Sequence, residues 1–280
     1  MELSLPAGVD NLPVHRGRLE TVCRIAMSEP GMLGMLIGGS FASGEADIYS
    51  DLDMQLVVED DAVEATAGKL RRMAEKAGPV VAAFFAEHVG LPHMLIVLYR
   101  DLIHADFEPL ARSRVGPRNA GLATHVLWER GGIVSSALPG KYEEDLAADL
   151  RWIEDRMWTW SWYVQTKVLR GELYEALDGL QYIRDNVLFR LLAMQRGERA
   201  SGARRVEART GTWTRQFAKT LAVLSRESML TALRASVALY QSLADPLLDR
   251  YGVEVSGDAR AVVLGALEAG LAWKPPESSP

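Results

Sequence analysis

The chain has 280 residues, of which 48% are hydrophobic, and a formal net charge of −6 at pH 7. This length and composition are sufficient for two domains, each with its own core. The acidic balance argues against extensive nucleic-acid binding, which requires a basic face, and the single cysteine, Cys23, excludes an intrachain disulfide.

The sequence contains no apolar run long enough to predict a membrane span. Its first residues also lack the basic region and apolar stretch of a signal peptide. We therefore expect a protein of the cytoplasm.

The first half of the chain predicts strands and helices in alternation. Residues 14–28 carry apolar side chains at helical spacing, and residues 32–37 form an apolar run typical of a strand. Further along, the pattern predicts a helix at 61–77, a hairpin at 93–110 and a last strand from residue 125.

The first predicted strand ends abruptly at Gly38, Gly39 and Ser40. Glycines allow the backbone to approach a ligand closely, and successive backbone N–H groups in such a turn form an anion-binding nest. The serine hydroxyl adds one more donor. A triphosphate is the ligand to which this turn is suited.

Two carboxylates, Asp51 and Asp53, precede an apolar run that ends at Val58. Alternate side chains of a strand point to the same face, with a rise of about 3.3 Å per residue. Two anions this close repel each other unless a cation lies between them, and carboxylate oxygens are ligands that Mg²⁺ prefers. The spacing therefore predicts a magnesium site, with room for two ions.

The second half of the chain predicts helices only. Residues 142–196 contain almost no Gly or Pro and predict two long helices that are broken near Gly171. A polar, Arg-rich loop is expected at 197–211, and helices are expected to resume at 214–251 and 258–273.

A domain boundary is expected near Pro139 and Gly140. The prediction is an α+β protein with a first domain, residues 1–138, in which helices flank a mixed β-sheet. An all-helical bundle domain, residues 139–273, and a tail, residues 274–280, follow.

Gly39 and Ser40, followed after ten residues by Asp51, Leu52 and Asp53, resemble the active-site pattern of the DNA polymerase beta-type nucleotidyltransferase superfamily. Within this superfamily, the chain resembles the bacterial antibiotic-modifying branch, the aminoglycoside and lincosamide nucleotidyltransferases. This resemblance implies that the first domain is catalytic and that the helical domain forms the wall of the acceptor site.

The resemblance also implies a third carboxylate on a later strand, which binds metal or acts as the general base. Asp106 is the expected residue, in the strand-like alternation of the predicted hairpin. Glu108, on the same strand face, and Glu87, in a more irregular region, are the alternatives.

One position departs from the pattern of the family: Ser43 stands where many relatives have an arginine. Lys141, Lys167 and Arg170 are candidates to replace that charge near the triphosphate. The residues expected to bind the nucleotide are Gly39, Ser40, Ser50, Lys167 and Arg170.

Tryptophans and acidic residues crowd the predicted helices after residue 142. Aromatic faces suit sugar rings or a base, and acids suit a cationic acceptor. The alternatives are that the tryptophans fill the helical core and that the acids are solvated. The residues expected to contact the acceptor are Glu108, Trp158, Glu172 and Asp178.

The sequence thus predicts a magnesium-dependent nucleotidyltransferase. It would move AMP from ATP to a hydroxyl of a small molecule, an aminoglycoside or lincosamide antibiotic, and release pyrophosphate. Asp51, Asp53 and Asp106 would hold two Mg²⁺ ions. The alternatives are an enzyme that transfers AMP to a protein, as a regulator or antitoxin, and a catalytically silent nucleotide sensor.

Overall fold

The computed structural model describes residues 3–116, 124–138, 145–198 and 202–275. The chain divides into two units, Met1–Glu143 and Glu144–Pro280. The expected boundary at Pro139 and Gly140, Lys141 and the last five residues of the predicted tail lie outside the described residues.

The first unit is built on a six-stranded sheet with the order β3-β4-β5-β2-β1-β6. Strands β2 and β5 pair in parallel, and the other four pairs are antiparallel. The sheet is therefore mixed, which confirms the predicted fold class. The strands are β1 (Met32–Ile37), β2 (Leu52–Val58), β3 (Val80–Ala86), β4 (Leu91–Tyr99), β5 (His104–Ala111) and β6 (His125–Glu129).

Two long helices, α1 (Pro13–Ser28) and α3 (Val63–Ala77), pack on one face of this sheet, and the short helix α2 (Gly39–Ser43) follows β1. The alternation along β2 explains the packing. Met54, like every second residue of that strand, is fully buried in an apolar cluster with Leu19 of α1 and Leu70 of α3. The residues between them, including Asp53, consequently face away from the two helices.

The structure departs from two expectations for the first unit. The segment before Glu87, for which no strand was predicted, is the edge strand β3, which pairs with β4 with register shifts between Val80 and Ala82 and between Phe85 and Ala86. The turn after β1 continues as the single helical turn α2, and its Gly39 has a φ of +61°. Glycine takes this left-handed conformation without strain.

The second unit is helical in all its described elements, and no helix in the described part of the chain is both long and apolar enough to cross a bilayer. A π-helical segment, Arg184–Leu188, joins α5 to α6. The helices are α4 (Leu146–Arg170), α5 (Leu173–Ile183), α6 (Phe189–Arg196), α7 (Val206–Thr210), α8 (Thr214–Ala218), α9 (Arg226–Tyr251) and α10 (Gly257–Ala269).

The predicted break at Gly171 is confirmed, since this residue ends α4 with a φ of +80°. One other expectation is wrong, because the predicted loop at 197–211 contains the helix α7. The helices expected to resume at 214–251 are α8 and α9. Short helices of this kind depend on packing rather than on local periodicity.

A buried carboxylate organises the core of the helical unit. Glu154 on α4 is 1% exposed. It accepts hydrogen bonds from Trp158 Nε1 at 2.9 Å, from the backbone N–H of Ser256 at 2.9 Å and from the Tyr240 hydroxyl. Burial, and then the bond to Glu154, raise the pKa of Tyr240 far above its usual value. This acceptor joins α4, α9 and the segment before α10.

Two glycines of the first unit are expected to respond oppositely to alanine. At Gly34 in β1 a Cβ atom would lie 2.7 Å from Val134 Cγ2 and 3.0 Å from the Trp128 carbonyl oxygen, whereas Gly68 in α3 has open space. We expect Gly34→Ala to destabilise the protein by about 1–3 kcal/mol and Gly68→Ala to stabilise it by about 0.5–1 kcal/mol. Urea unfolding of both variants tests this prediction. Equal changes in the free energy of unfolding, in the same direction, would contradict it.

Candidate active site

Three carboxylates lie at the start of β2 and β5. Asp53 and Asp106 are direct partners in the parallel register of these strands, which places their backbones about 4.8 Å apart. Asp51 precedes Asp53 by two residues and so shares its face. This face is the one opposite α1 and α3, so the three side chains project away from these two helices.

The glycine-serine turn adjoins this acidic group. The backbone N–H of Gly38 donates to the carbonyl oxygen of Asp53 at 2.8 Å, which fixes the end of β1 against the start of β2. The next residues, Gly39 and Ser40, open α2. The anion-binding candidate and the cation-binding candidates are therefore neighbours in space.

Two oxygens of this region are buried and have no hydrogen-bond partner among the described residues: Ser40 Oγ and Asp106 Oδ1. Ser40 is 6% exposed. Buried polar atoms are almost always paired in folded proteins, so each unpaired one requires an explanation. A ligand that brings an acceptor to Ser40 and a cation to Asp106 would provide it.

His104 was not foreseen as a site residue. Its Nδ1 lies 3.9 Å from Asp51 Oδ2 and its Nε2 lies 3.6 Å from Asp106 Oδ1. The imidazole thus stands between two of the three carboxylates. The sequence contains a signal for this position. His104 and Asp106 are two residues apart on β5, so their side chains must lie on the same face of the strand.

The surroundings of Asp106 shift its pKa. Burial raises the pKa of Asp106 above its usual value, His104 offsets part of the rise, and the charges of Asp51 and Glu108 add to it. A carboxylate in such surroundings gains from a cation.

The two alternatives to Asp106 are placed differently. Glu108 shares the face of Asp106, and its Oε2 accepts a hydrogen bond from Gln55 Nε2 at 2.8 Å. Glu87 begins a 3₁₀ turn after β3, which is two strands away from β5 in the sheet. Asp106 is the one that is in register with Asp53.

A divalent cation fits the chemistry of these donors. Asp51, Asp53 and Asp106 offer hard carboxylate oxygens, the ligands of Mg²⁺, and Asp106 Oδ1 accepts no hydrogen bond from the described residues. In the conformation described, no three His, Cys, Asp or Glu side chains within the described ranges are arranged to hold a metal ion together.

Ser50, expected to bind the nucleotide, is engaged in a turn of the backbone. Its hydroxyl accepts from the N–H of Asp47 at 2.9 Å and contacts Asp47 Oδ1 at 3.2 Å. Its carbonyl oxygen accepts from His15 Nε2 at 3.0 Å. These bonds hold the segment that leads into Asp51.

The cationic candidates of the helical unit are paired within that unit. Lys167 Nζ lies 3.0 Å from Glu172 Oε2 and 3.0 Å from Glu175 Oε1, and Arg170 Nε lies 3.1 Å from Glu172 Oε1. Hydrogen bonds to the two glutamates raise the pKa of Lys167. Glu172 is thus bonded to two cations of its own unit.

The remaining acceptor candidates lie in contrasting places. Trp158 is 2% exposed and packs edge-on against Tyr240, with ring centroids 5.6 Å apart. It fills the helical core, as in the alternative considered for the tryptophans, and offers no surface to a ligand. Asp178 is exposed and lines a cavity on the surface of the helical unit.

Known proteins offer only distant matches. No family model and no curated protein matches the sequence. An aminoglycoside 6-adenyltransferase from Bacillus subtilis is similar in structure, with 15% identity and a TM-score of 0.44 over 92% of this chain and 99% of that one. A nucleotidyltransferase-like protein from Exiguobacterium sibiricum 255-15 has 12% identity and a TM-score of 0.40 over 84% and 78%. Both TM-scores are below 0.5.

Proposed function

We propose that this protein is a nucleotidyltransferase that moves a nucleoside monophosphate from a nucleoside triphosphate to a hydroxyl group and releases pyrophosphate. The observation that carries the proposal is the in-register pair Asp53 and Asp106 beside the turn at Ser40. Nucleotidyl transfer requires both parts, a cradle for the phosphates and carboxylates for the cations that accompany them.

Each residue has a role in this proposal. The backbone N–H groups of the turn at Gly39 and the hydroxyl of Ser40 bind the β- and γ-phosphates. Asp51, Asp53 and Asp106 hold two Mg²⁺ ions, which when bound neutralise the charge of the triphosphate and of the departing pyrophosphate.

Asp106 also accepts the proton of the attacking hydroxyl. A partly desolvated carboxylate takes up a proton more readily than a solvated one, which suits a general base. His104, between Asp51 and Asp106, orients both carboxylates. The reaction then depends mainly on positioning and on charge neutralisation.

The acceptor that we propose is a small molecule, an aminoglycoside or lincosamide antibiotic, with ATP as the donor. Support comes from the resemblance of the sequence motif to that branch of nucleotidyltransferases. An antibiotic-inactivating enzyme would act where its substrates arrive, in the cytoplasm, and would confer resistance.

The direct test is a screen of the purified chain with Mg²⁺, each nucleoside triphosphate in turn, and a panel of these antibiotics. We expect pyrophosphate release with at least one pair, and an acceptor whose mass rises by one nucleoside monophosphate. Tight ATP binding with no release across the panel would indicate a sensor instead. A co-expressed protein that gains the mass of AMP would indicate a protein acceptor.

Ser40 provides a sharper test of the nucleotide site. Ser40→Ala removes a hydroxyl that bonds nothing within the described residues, so the stability of the free protein should change little. A lost hydrogen bond to a charged phosphate should raise the KM for ATP about tenfold or more. Ser43→Ala is the matched control, because its hydroxyl on the same helical turn bonds the carbonyl oxygen of Ser40. Equal KM values for the two variants would show that Ser40 does not bind the nucleotide.

A further inference from the structure

The helical unit has a cavity of about 460 Å³ that opens at the surface between α4 and α5. Val164 and Gly179 bring the two helices close together here, since a Cβ atom on Gly179 would lie 2.6 Å from Val164 Cγ2. The side chains that line the cavity on either side of this contact are mainly aromatic and acidic. The cavity belongs to a single unit, so both of its walls are fixed by the same fold.

The aromatic walls are Trp160 and Tyr163 from α4 and Tyr182 from α5. Trp160 and Tyr182 pack edge-on, with ring centroids 5.0 Å apart. The ammonium group of Lys167 lies over the ring of Tyr163, 4.8 Å from its centroid. Tyr182 is 45% exposed. These electron-rich rings form a surface that attracts organic cations.

The charge of the cavity is negative. Of its two carboxylates, Glu175 is compensated: it accepts from the Tyr163 hydroxyl and pairs with Lys167 at 3.0 Å. The bond to Tyr163, and then that to Lys167, lower the pKa of Glu175. Asp178 has no ion pair or hydrogen bond with any of the side chains in the described segments. An uncompensated carboxylate therefore stands beside exposed aromatic rings.

We propose that this cavity is a binding site for a small organic cation, an amine attached to a ring. The ring packs against Trp160 and Tyr182, and the ammonium group is attracted by Asp178. The proposal is independent of the proposed transferase activity, because binding here requires neither nucleotide nor metal and uses none of the residues of the acidic sheet face.

The test uses two probes that differ in charge, phenethylammonium and the neutral 2-phenylethanol, titrated into the full-length protein at low salt and followed by ligand NMR. We expect the cation to bind at least threefold more tightly than the alcohol, the magnitude typical of an exposed charge pair. Asp178→Asn should weaken binding of the cation about threefold and leave the affinity for the alcohol unchanged. Asp155→Asn, an equal change of charge outside the cavity, should alter the affinity for neither probe.

The aromatic wall is tested separately. Tyr182→Leu should weaken both probes about twofold to fivefold, Tyr182→Phe should retain binding because the ring remains, and Tyr174→Leu, on the same helix but outside the cavity, should have no effect. The Asp53→Asn variant should bind the cation as the unaltered protein does, whether or not the protein is a transferase. Equal affinity for the two probes, equal effects of Asp178→Asn and Asp155→Asn, or loss of binding in Asp53→Asn would each overturn the proposal.

Discussion

Replacing Asp53 by asparagine is expected to lower the rate of nucleotidyl transfer by roughly 10²–10³-fold or more, the usual cost of losing one charge-stabilising group in an active site. The amide keeps the shape of the side chain but supplies no negative charge for a cation. Because β2 retains its pairing with β5, the fold should persist. Pyrophosphate release at saturating ATP and acceptor measures the loss.

Glu108→Gln is the matched control for this prediction. It removes an equal charge from the same face of the sheet, two residues beyond Asp106, where the side chain accepts a hydrogen bond from Gln55. We expect a loss of less than tenfold. Should Asp53→Asn and Glu108→Gln reduce the rate equally, or should Asp53→Asn remain fully active, the assignment of the metal ligands would be wrong.

The largest effect on stability is expected at Glu154. Glu154→Ala deprives three donors of their acceptor: the indole of Trp158, the hydroxyl of Tyr240 and the N–H of Ser256. Each buried donor without a partner costs about 1–3 kcal/mol. Since part of that cost is recovered by water entering the space, we expect a loss of about 3–5 kcal/mol in urea unfolding, followed by tryptophan fluorescence.

Two variants define what Glu154 contributes. Glu154→Gln keeps one acceptor oxygen and should cost about half as much, whereas Asp155→Ala, an exposed neighbour, should change stability by no more than about 0.5 kcal/mol. If Glu154→Ala were as stable as Asp155→Ala, the carboxylate would not organise the core of the helical unit.

Local patterns were sufficient to predict the elements with clear periodicity. The strand before Gly38 and the long helices broken at Gly171 have apolar residues at clear spacing, and a glycine follows the point where that spacing ends. Strand β3 was not predicted because its seven residues are all apolar and show no alternation, so that its identity depends on pairing with β4. Helix α7 was missed because five residues contain too little periodicity to be recognised.

The candidate site also has a part that the sequence predicts and a part that it does not. The spacing of Asp51 and Asp53 shows from sequence alone that they share a face. The register that sets Asp53 opposite Asp106 could not be derived locally, because parallel pairing joins residues that are distant in the chain. The place of His104 depends on that register. The burial of Trp158 could not be derived from sequence either, because Glu154, four residues before it on the same helix face, is of a residue type that is rarely buried.

The parallel pairing of β2 with β5 has a consequence for biosynthesis. Register partners on the two strands, such as Gln55 and Glu108, are 53 positions apart in the chain, and the strands β3 and β4 lie between β2 and β5 in sequence. While β5 is still inside the ribosome, Asp51 and Asp53 have emerged but Asp106 has not. The acidic trio therefore cannot exist during early synthesis, and an amino-terminal fragment that ends before residue 104 cannot contain it.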